Sequence, residues 1–151
     1  HPMATSKMEA LSKGGFQEVL DDINVVSKNI DTLVLCTGKF YYEMKIKAEE
    51  LGVENMVFVR IEQLYPWPKK QVDKILSKYK TKHLIWAQEE PENMGAWQYI
   101  AMQNRELPII GISRPASAAS AEGSKKLHEK RLAKLFNELF SFAKTKVHQK
   151  N

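Results

Sequence analysis

The sequence has little of what a secreted or membrane protein needs. Its single cysteine, Cys36, lies in an apolar run and has no second thiol for a disulfide, which favours a reducing, intracellular setting. No apolar run approaches the ~20 residues that cross a bilayer, so we expect no membrane association. The first residues, HPMATSKMEAL, lack the charged and apolar segments of a signal peptide.

Residue patterns of catalytic and metal sites are also missing. No P-loop spacing and no nucleophile elbow occurs in the sequence. The histidines are scattered, without metal-ligand spacing or clustered acids, and they are His1, His83, His128 and His148. We therefore predict no metal site, and a Ser–His–Asp triad has no support in this chain.

The net charge of +5 is concentrated towards the end of the chain and is not accompanied by nucleic-acid-binding motifs. The bases alternate with the apolar residues of an amphipathic helix, which is typical of a solvated helix face. They are Lys125, Lys126, Lys130, Arg131, Lys134, Lys144, Lys146 and Lys150. We expect no nucleic-acid partner.

Four short apolar runs predict strands covered on both faces. These runs are residues 32–36, 56–61, 84–87 and 108–112, and residues 14–22 could add an edge strand. Helical spacing separates them: FYYEMKIKAEEL ends before Gly52, PKKQVDKILSKYK begins at Pro68, and GAWQYIAMQNREL has a weaker pattern. A long helix over 124–147, with Ser124 as N-cap, follows a serine–alanine loop. Alternating strands and helices predict a three-layer α/β/α domain with a largely parallel sheet.

In a parallel sheet, functional residues gather at the carboxyl ends of the strands. TGKF places Lys39 where a strand meets a helix, and Arg114 lies after the last strand beside three serines. Either cation could bind a phosphate group. A tight turn with an exposed lysine and an ordinary polar loop are the competing interpretations.

The block QEEPENMGAW raises the question of whether Glu89 and Glu90 do chemistry. Adjacent residues of an extended strand point to opposite faces, so we do not expect the two carboxylates to line one pocket as an acid–base pair. Pro91 closes the strand, and residues 93–95 form the turn into the next helix. A structural role for this block is the prediction.

Four blocks occur in an order and at spacings that resemble the C-terminal region of 2-oxoglutarate dehydrogenase: LCTGKFYYEM, VRIEQLYPWP, QEEPENMGAW and RPASAASAEGSKKLH. The start, HPMATSKMEAL, is similar to the stretch that joins the preceding domain to the final domain in this family. The resemblance covers nearly the whole chain. Since His1 and Pro2 also match, we expect the chain to be a piece of a longer polypeptide.

The resemblance implies a transketolase C-terminal-domain-like fold with a mostly parallel five-stranded sheet and an antiparallel edge strand at residues 16–20. The strand order should be 1-3-2-4-5. Residues 1–13 would be an inter-domain linker remnant and residues 14–151 the domain itself. A naturally separate flavodoxin-like nucleotide- or anion-binding module is the alternative, although TGKF is short for its phosphate loop.

The resemblance also implies a function for the parent enzyme, which decarboxylates 2-oxoglutarate on thiamine diphosphate and succinylates lipoyl groups in the citric acid cycle. In this family thiamine diphosphate and magnesium bind in the preceding domains, where the catalytic histidines also lie. We therefore expect no cofactor and no catalytic residue here. Expected partners are those domains, the dimer mate and the dihydrolipoamide succinyltransferase component. The compartment would be the bacterial cytoplasm or the mitochondrial matrix.

An effector site is a further implication, since some members of the family bind an acyl-CoA or nucleotide at their C-terminal domain. Our hypothesis is that Lys39, Gln88 and Arg114 line this site in the crevice between the strands that end in TGK and in AQEEP. The same edge could instead pack against the rest of the enzyme, with Tyr65, Trp67 and Trp97 as interface anchors. A pure interaction domain that uses the basic final helix is a third interpretation.

Overall fold

The computed structural model describes residues 3–5, 8–22, 25 and 29–144. The strands are β1 (Val19–Leu20), β2 (Thr32–Cys36), β3 (Met56–Ile61), β4 (His83–Pro91) and β5 (Ile109–Arg114). The helices are α1 (Met8–Ser12), α2 (Phe40–Leu51), α3 (Lys69–Tyr79), α4 (Trp97–Gln103) and α5 (Lys125–Leu139). Among the described residues, none of these helices combines the length and apolarity needed to cross a bilayer.

The sheet has the order β1-β3-β2-β4-β5, and β1 pairs with β3 in the antiparallel sense while the other pairs are parallel. This confirms the predicted α/β class and strand order. The edge strand is shorter than predicted, because only Val19 and Leu20 pair with β3. Asp22 then continues the contact with its side chain, whose Oδ2 accepts the N–H of Phe58 at 3.3 Å.

Alternate residues of the central strands enter two separate cores, as the pleat of a strand requires. On one face, Val34 and Cys36 of β2 pack beneath α2 and α5. On the other face, Leu33 and Leu35 pack beneath α3 and α4. All five residues of β2 are buried, so the sheet is the middle layer of three.

Helix α2 spans the predicted residues and ends at Gly52, whose φ of 64° lies in the left-handed region that glycine adopts without strain. The prediction for the final helix was wrong at its end. Helix α5 stops at Leu139, a single 3₁₀ turn follows over Phe140–Phe142, and residues 145–147 of the prediction lie outside the described residues. Ser124 precedes α5, but its side chain makes no capping hydrogen bond.

The early end of α5 has an identifiable cause in Asn55, which is 3% exposed. Its Nδ2 donates to the carbonyl oxygen of Phe142 at 3.1 Å, and its Oδ1 accepts the N–H of Lys144 at 2.6 Å. These bonds use the backbone groups that a continuing helix would need for its own ladder. The chain therefore leaves the helix where it meets the beginning of β3.

Candidate functional site

The residues 88–90 form a β-bulge at the carboxyl edge of the sheet, by which we mean the ends of β2, β3, β4 and β5. Ala87 pairs with Ile112 and Pro91 pairs with Arg114, so three residues of β4 lie opposite the single residue Ser113 of β5. A bulge breaks the alternation of side chains and redirects them. The QEE sequence is therefore neither regular strand nor the start of the turn.

The bulge corrects the expectation that Glu89 and Glu90 point away from a common pocket. Both line one cavity of about 180 Å³, together with Lys39, Arg114, the loop segment 120–122 and His128. We call this the charged cavity. The prediction assumed regular pleating, which the bulge removes.

Gln88 is buried at the bulge, with 2% of its surface exposed, and its amide is saturated with hydrogen bonds. Its Oε1 accepts from Trp86 Nε1 at 3.0 Å and from the Trp97 N–H at 2.9 Å. Its Nε2 donates to the carbonyl oxygens of Pro91 at 3.1 Å and Met94 at 2.7 Å. Gln88 therefore holds the turn between β4 and α4 in place.

Gln88 also lines a second cavity of about 310 Å³, which we call the apolar cavity. Its other walls are mostly apolar or aromatic, and they are Thr37, Leu64, Tyr65, Glu90, Gly95, Ala96 and Tyr99. Glu90 lines both cavities, so they adjoin at that side chain. The structure thus places Lys39 and Arg114 in the charged cavity and Gln88 in its apolar neighbour.

Lys39 lies at the N-terminus of α2 and its ammonium group bridges two carboxylates. Its Nζ is 2.9 Å from Glu43 Oε1 and 2.8 Å from Glu89 Oε2. Burial alone would lower the pKa of Lys39, but the hydrogen bonds with Glu89 and Glu43 outweigh it and raise the pKa above its ordinary value. The ammonium group is therefore charged at neutral pH.

Arg114, at the end of β5, has a side chain that is 9% exposed and uses three of its nitrogens in the protein. Its Nε donates to the carbonyl oxygen of Glu89, its Nη2 to that of Ser120 at 2.8 Å, and its Nη1 to the carboxylate of Glu122. The guanidinium group is thus fixed in position by one bond to the bulge and two to the following loop.

Glu122 is the residue of this site that the sequence did not single out. Its side chain is 3% exposed and its carboxylate is bound by Arg114, by Arg131 Nη1 at 2.9 Å and by His128 Nδ1 at 3.4 Å. Desolvation alone would raise the pKa of Glu122, but hydrogen bonds from Arg131, Arg114 and His128 outweigh it and lower the pKa to about 2. Its position as the only charged residue between Arg114 and Lys125 was the available signal.

The predicted aromatic anchors separate in the structure. Tyr65 is 82% exposed at the mouth of the apolar cavity, whereas Trp67 and Trp97 pack against the core beneath α3 and α4. The Trp97 indole ring lies on Gly111 of β5, where a Cβ atom would come within 2.4 Å of a ring carbon. Among the described residues, no group of three histidine, cysteine or acidic side chains could hold a metal ion.

Comparison with known proteins identifies the family of the chain. The 2-oxoglutarate dehydrogenase C-terminal family matches residues 5–140. The chain is 36% identical to the 2-oxoglutarate dehydrogenase E1 component of Azotobacter vinelandii, over 93% of the chain and 16% of that protein. It is 40% identical to the E1 component of Rickettsia typhi, over 91% of the chain and 16% of that protein. It is 37% identical to the mitochondrial 2-oxoglutarate dehydrogenase of Caenorhabditis briggsae, over 97% of the chain and 15% of that protein. The chain therefore spans about one sixth of the length of these relatives.

Proposed function

The chain belongs to the 2-oxoglutarate dehydrogenase C-terminal family, and we propose that it serves as the C-terminal domain of an E1 component. In this proposal the parent enzyme oxidatively decarboxylates 2-oxoglutarate on thiamine diphosphate and succinylates the lipoyl groups of the succinyltransferase component. The cofactor and magnesium belong to the preceding domains. The compartment is the cytoplasm for a bacterial source and the mitochondrial matrix for a eukaryotic one.

Within that enzyme we assign this domain an assembly role, because it exposes an aromatic side chain beside a mostly apolar cavity. Tyr65 is 82% exposed, and Leu64, Ala96 and Tyr99 line the cavity next to it. A large exposed aromatic residue at a concave apolar surface is typical of an interface anchor. We propose that a preceding domain of the same polypeptide occupies this surface. The chain spans only about one sixth of the length of its relatives, so such domains make up most of those proteins.

The test compares one substitution in two contexts. Tyr65→Ser should change the unfolding free energy of the isolated chain by less than about 0.5 kcal/mol, because an exposed surface side chain contributes little. In the full-length E1 polypeptide it should lower thermal stability, since it then removes a buried contact. Met102→Ser is the matched control, because Met102 is 59% exposed on α4 and does not line the apolar cavity. Equal stability of the two full-length variants would contradict the assembly role.

A second function, effector binding, is supported by the arrangement of the two cavities. Lys39 and Arg114 supply cations to the charged cavity, and the apolar cavity beside it offers Tyr65 and Tyr99. A nucleotide or acyl-CoA carries a phosphate and an aromatic base within one molecule, so it matches this pairing. We propose that Gln88 contributes shape to the site, because its amide groups are already bonded within the protein.

Calorimetric titration of the chain with acetyl-CoA, AMP and thiamine diphosphate with magnesium tests this second function. We expect heat with acetyl-CoA or AMP, lost in Lys39→Ala and retained in Lys47→Ala. Lys47 is the control because it also lies on α2 and is also ion-paired, but with Glu50 and away from both cavities. Heat with thiamine diphosphate would contradict our assignment of the cofactor to other domains. Silence with acetyl-CoA and AMP would leave the assembly role alone.

A further inference from the structure

Three carboxylates line the charged cavity, and one of them, that of Glu122, is bound to Arg114. We propose that the Glu122 carboxylate occupies the position of an effector phosphate on Arg114, so that the loop and a phosphate-bearing ligand compete for one guanidinium group. This inference rests on the proposed effector site and adds its regulation. It assigns Glu122 as the residue that sets how tightly the site binds phosphate.

The loop that carries Glu122 has little else to hold it. In residues 115–124 every residue except Ser117 and Glu122 is exposed, and the segment consists mainly of serine and alanine. Burial of apolar side chains therefore contributes little to its position. The Glu122 carboxylate, with its bonds to Arg114, Arg131 and His128, is the main attachment of its second half.

The first half of the loop is attached differently, which defines the part that can move. Asn93 and Ser117 exchange two hydrogen bonds of 3.0 Å, one in each direction between the side chain of Asn93 and the backbone of Ser117. The C-terminal end of the loop is fixed by helix α5, which begins at Lys125. Release of Glu122 would therefore free residues 118–123 between two fixed ends.

Displacement of the loop would leave Arg114 ready for a phosphate. Its Nη1 now binds Glu122 and its Nη2 binds the carbonyl oxygen of Ser120, and both partners lie in the movable segment. Its Nε would stay bound to the carbonyl oxygen of Glu89 in the bulge. The two terminal nitrogens would thus be freed together on a guanidinium group that remains oriented, which is the geometry for two parallel bonds to a phosphate.

A competing internal carboxylate weakens the binding of an anion, because only the molecules in which the carboxylate is released can bind. The apparent association constant is the intrinsic constant multiplied by the fraction of such molecules. Removal of the negative charge in Glu122→Gln should therefore tighten the binding of inorganic pyrophosphate, which we choose as the probe. If the coupling between Glu122 and the ligand has a size typical of linked binding events, the affinity for pyrophosphate should rise roughly 5- to 150-fold. Glu129→Gln is the matched control, because Glu129 is an exposed acid of α5 that faces Lys125 and does not line the charged cavity.

The experiment measures pyrophosphate affinity by calorimetry at low ionic strength for the full chain and both variants. The expected result is tighter binding for Glu122→Gln and less than about twofold change for Glu129→Gln, the scale of a weakly screened surface charge. If the wild-type chain binds and Glu122→Gln binds no more tightly, the competition is refuted while the effector site stands. If neither the wild-type chain nor Glu122→Gln binds pyrophosphate or AMP, the effector site itself fails.

NMR relaxation of the wild-type chain gives a second test that does not depend on the variant folding well. Saturation with pyrophosphate should lower the backbone order parameters of residues 118–123 and leave those of α2 unchanged, because only the loop is displaced. Binding of pyrophosphate without lower order parameters in this segment would overturn the proposal. Comparison of pyrophosphate with AMP then shows whether the apolar cavity adds affinity for a base.

Discussion

Replacement of Gln88 by leucine tests whether the QEEP block is a structural unit built around one amide. Leucine keeps a similar volume but cannot replace the four hydrogen bonds that link Gln88 to Trp86, Trp97, Pro91 and Met94. At a net ~0.5–1.5 kcal/mol each, their loss amounts to roughly 2–6 kcal/mol. This is a large part of the ~5–15 kcal/mol that stabilises a typical domain.

The measurement is urea denaturation followed by the fluorescence of the three tryptophans, two of which bond to Gln88. The urea concentration at the midpoint of unfolding should fall. In a thermal melt, at about 2–4 °C per kcal/mol, the melting temperature should drop by at least ~4 °C. Gln98→Leu is the matched control, since Gln98 is an exposed glutamine on α4. A Gln88→Leu variant that is as stable as Gln98→Leu would refute the structural role of the amide.

The Gln88→Glu variant tests the same structural role through the pH dependence of its stability. The carboxylate can still accept the two tryptophan N–H groups, but it faces the carbonyl oxygens of Pro91 and Met94, which the amide served as a donor. Burial should raise the pKa of this carboxyl in the folded state above its unfolded value. The variant should therefore be least destabilised at low pH and lose stability as the pH rises through the folded pKa. A stability that is independent of pH relative to the wild-type chain would contradict this reasoning.

Three further predictions concern packing and charge. Gly111→Ala should cost about 1–3 kcal/mol in a urea titration, because its Cβ would meet the Trp97 ring at 2.4 Å, whereas Gly123→Ala has nothing within 4 Å and should be neutral. Asp22→Asn should cost about 3–5 kcal/mol in the same assay, because it breaks an ion pair whose carboxylate is 2% exposed. The pKa of Glu122 is lowered from 4.5 to about 2, so its contribution is complete above pH 4.5 and is lost as the pH falls towards 2. Stability should therefore decline less steeply with acid in Glu122→Gln than in the wild-type chain.

The sheet and most helices were predictable because their signals are local. Residues 32–36 and 56–61 are β2 and β3 without change, and α2 covers the predicted twelve residues. Apolar runs and the 3.6-residue period depend only on neighbours along the chain. The end of α5 was not predictable in this way. Phe140 and Phe142 continue the apolar pattern of the helix. The helix nevertheless ends, because Asn55 binds the backbone carbonyl oxygen of Phe142 from 87 residues away in the sequence.

The site was only partly predictable for the same reason. The common location of Lys39 and Arg114 was predictable, because residues after parallel strands meet at one edge of the sheet. The ion pairs that Glu89 forms with Lys39 and Glu122 forms with Arg114 were not predicted. Their partners lie 50 and 8 residues apart, and such separations leave no periodic signal in the sequence. The bulge that places Glu89 and Glu90 at the same cavity depends on the register between β4 and β5. Register is a property of two strands, so the pattern of one strand cannot show it.

The pairing of both cations limits which ligands could act through the proposed effector site. Lys39 is neutralised by Glu89 and Glu43, and Arg114 by Glu122, so the charged cavity is electrically satisfied without a ligand. A ligand shifts a conformational equilibrium only by the difference between its affinities for the two states. A molecule that fills the apolar cavity alone would contact the same surface whether Glu122 is bound or released, and would leave the loop where it is. In the competition that we propose, an effector must therefore present an anion to Arg114, and the affinity of that anion relative to the Glu122 carboxylate would set the size of its effect.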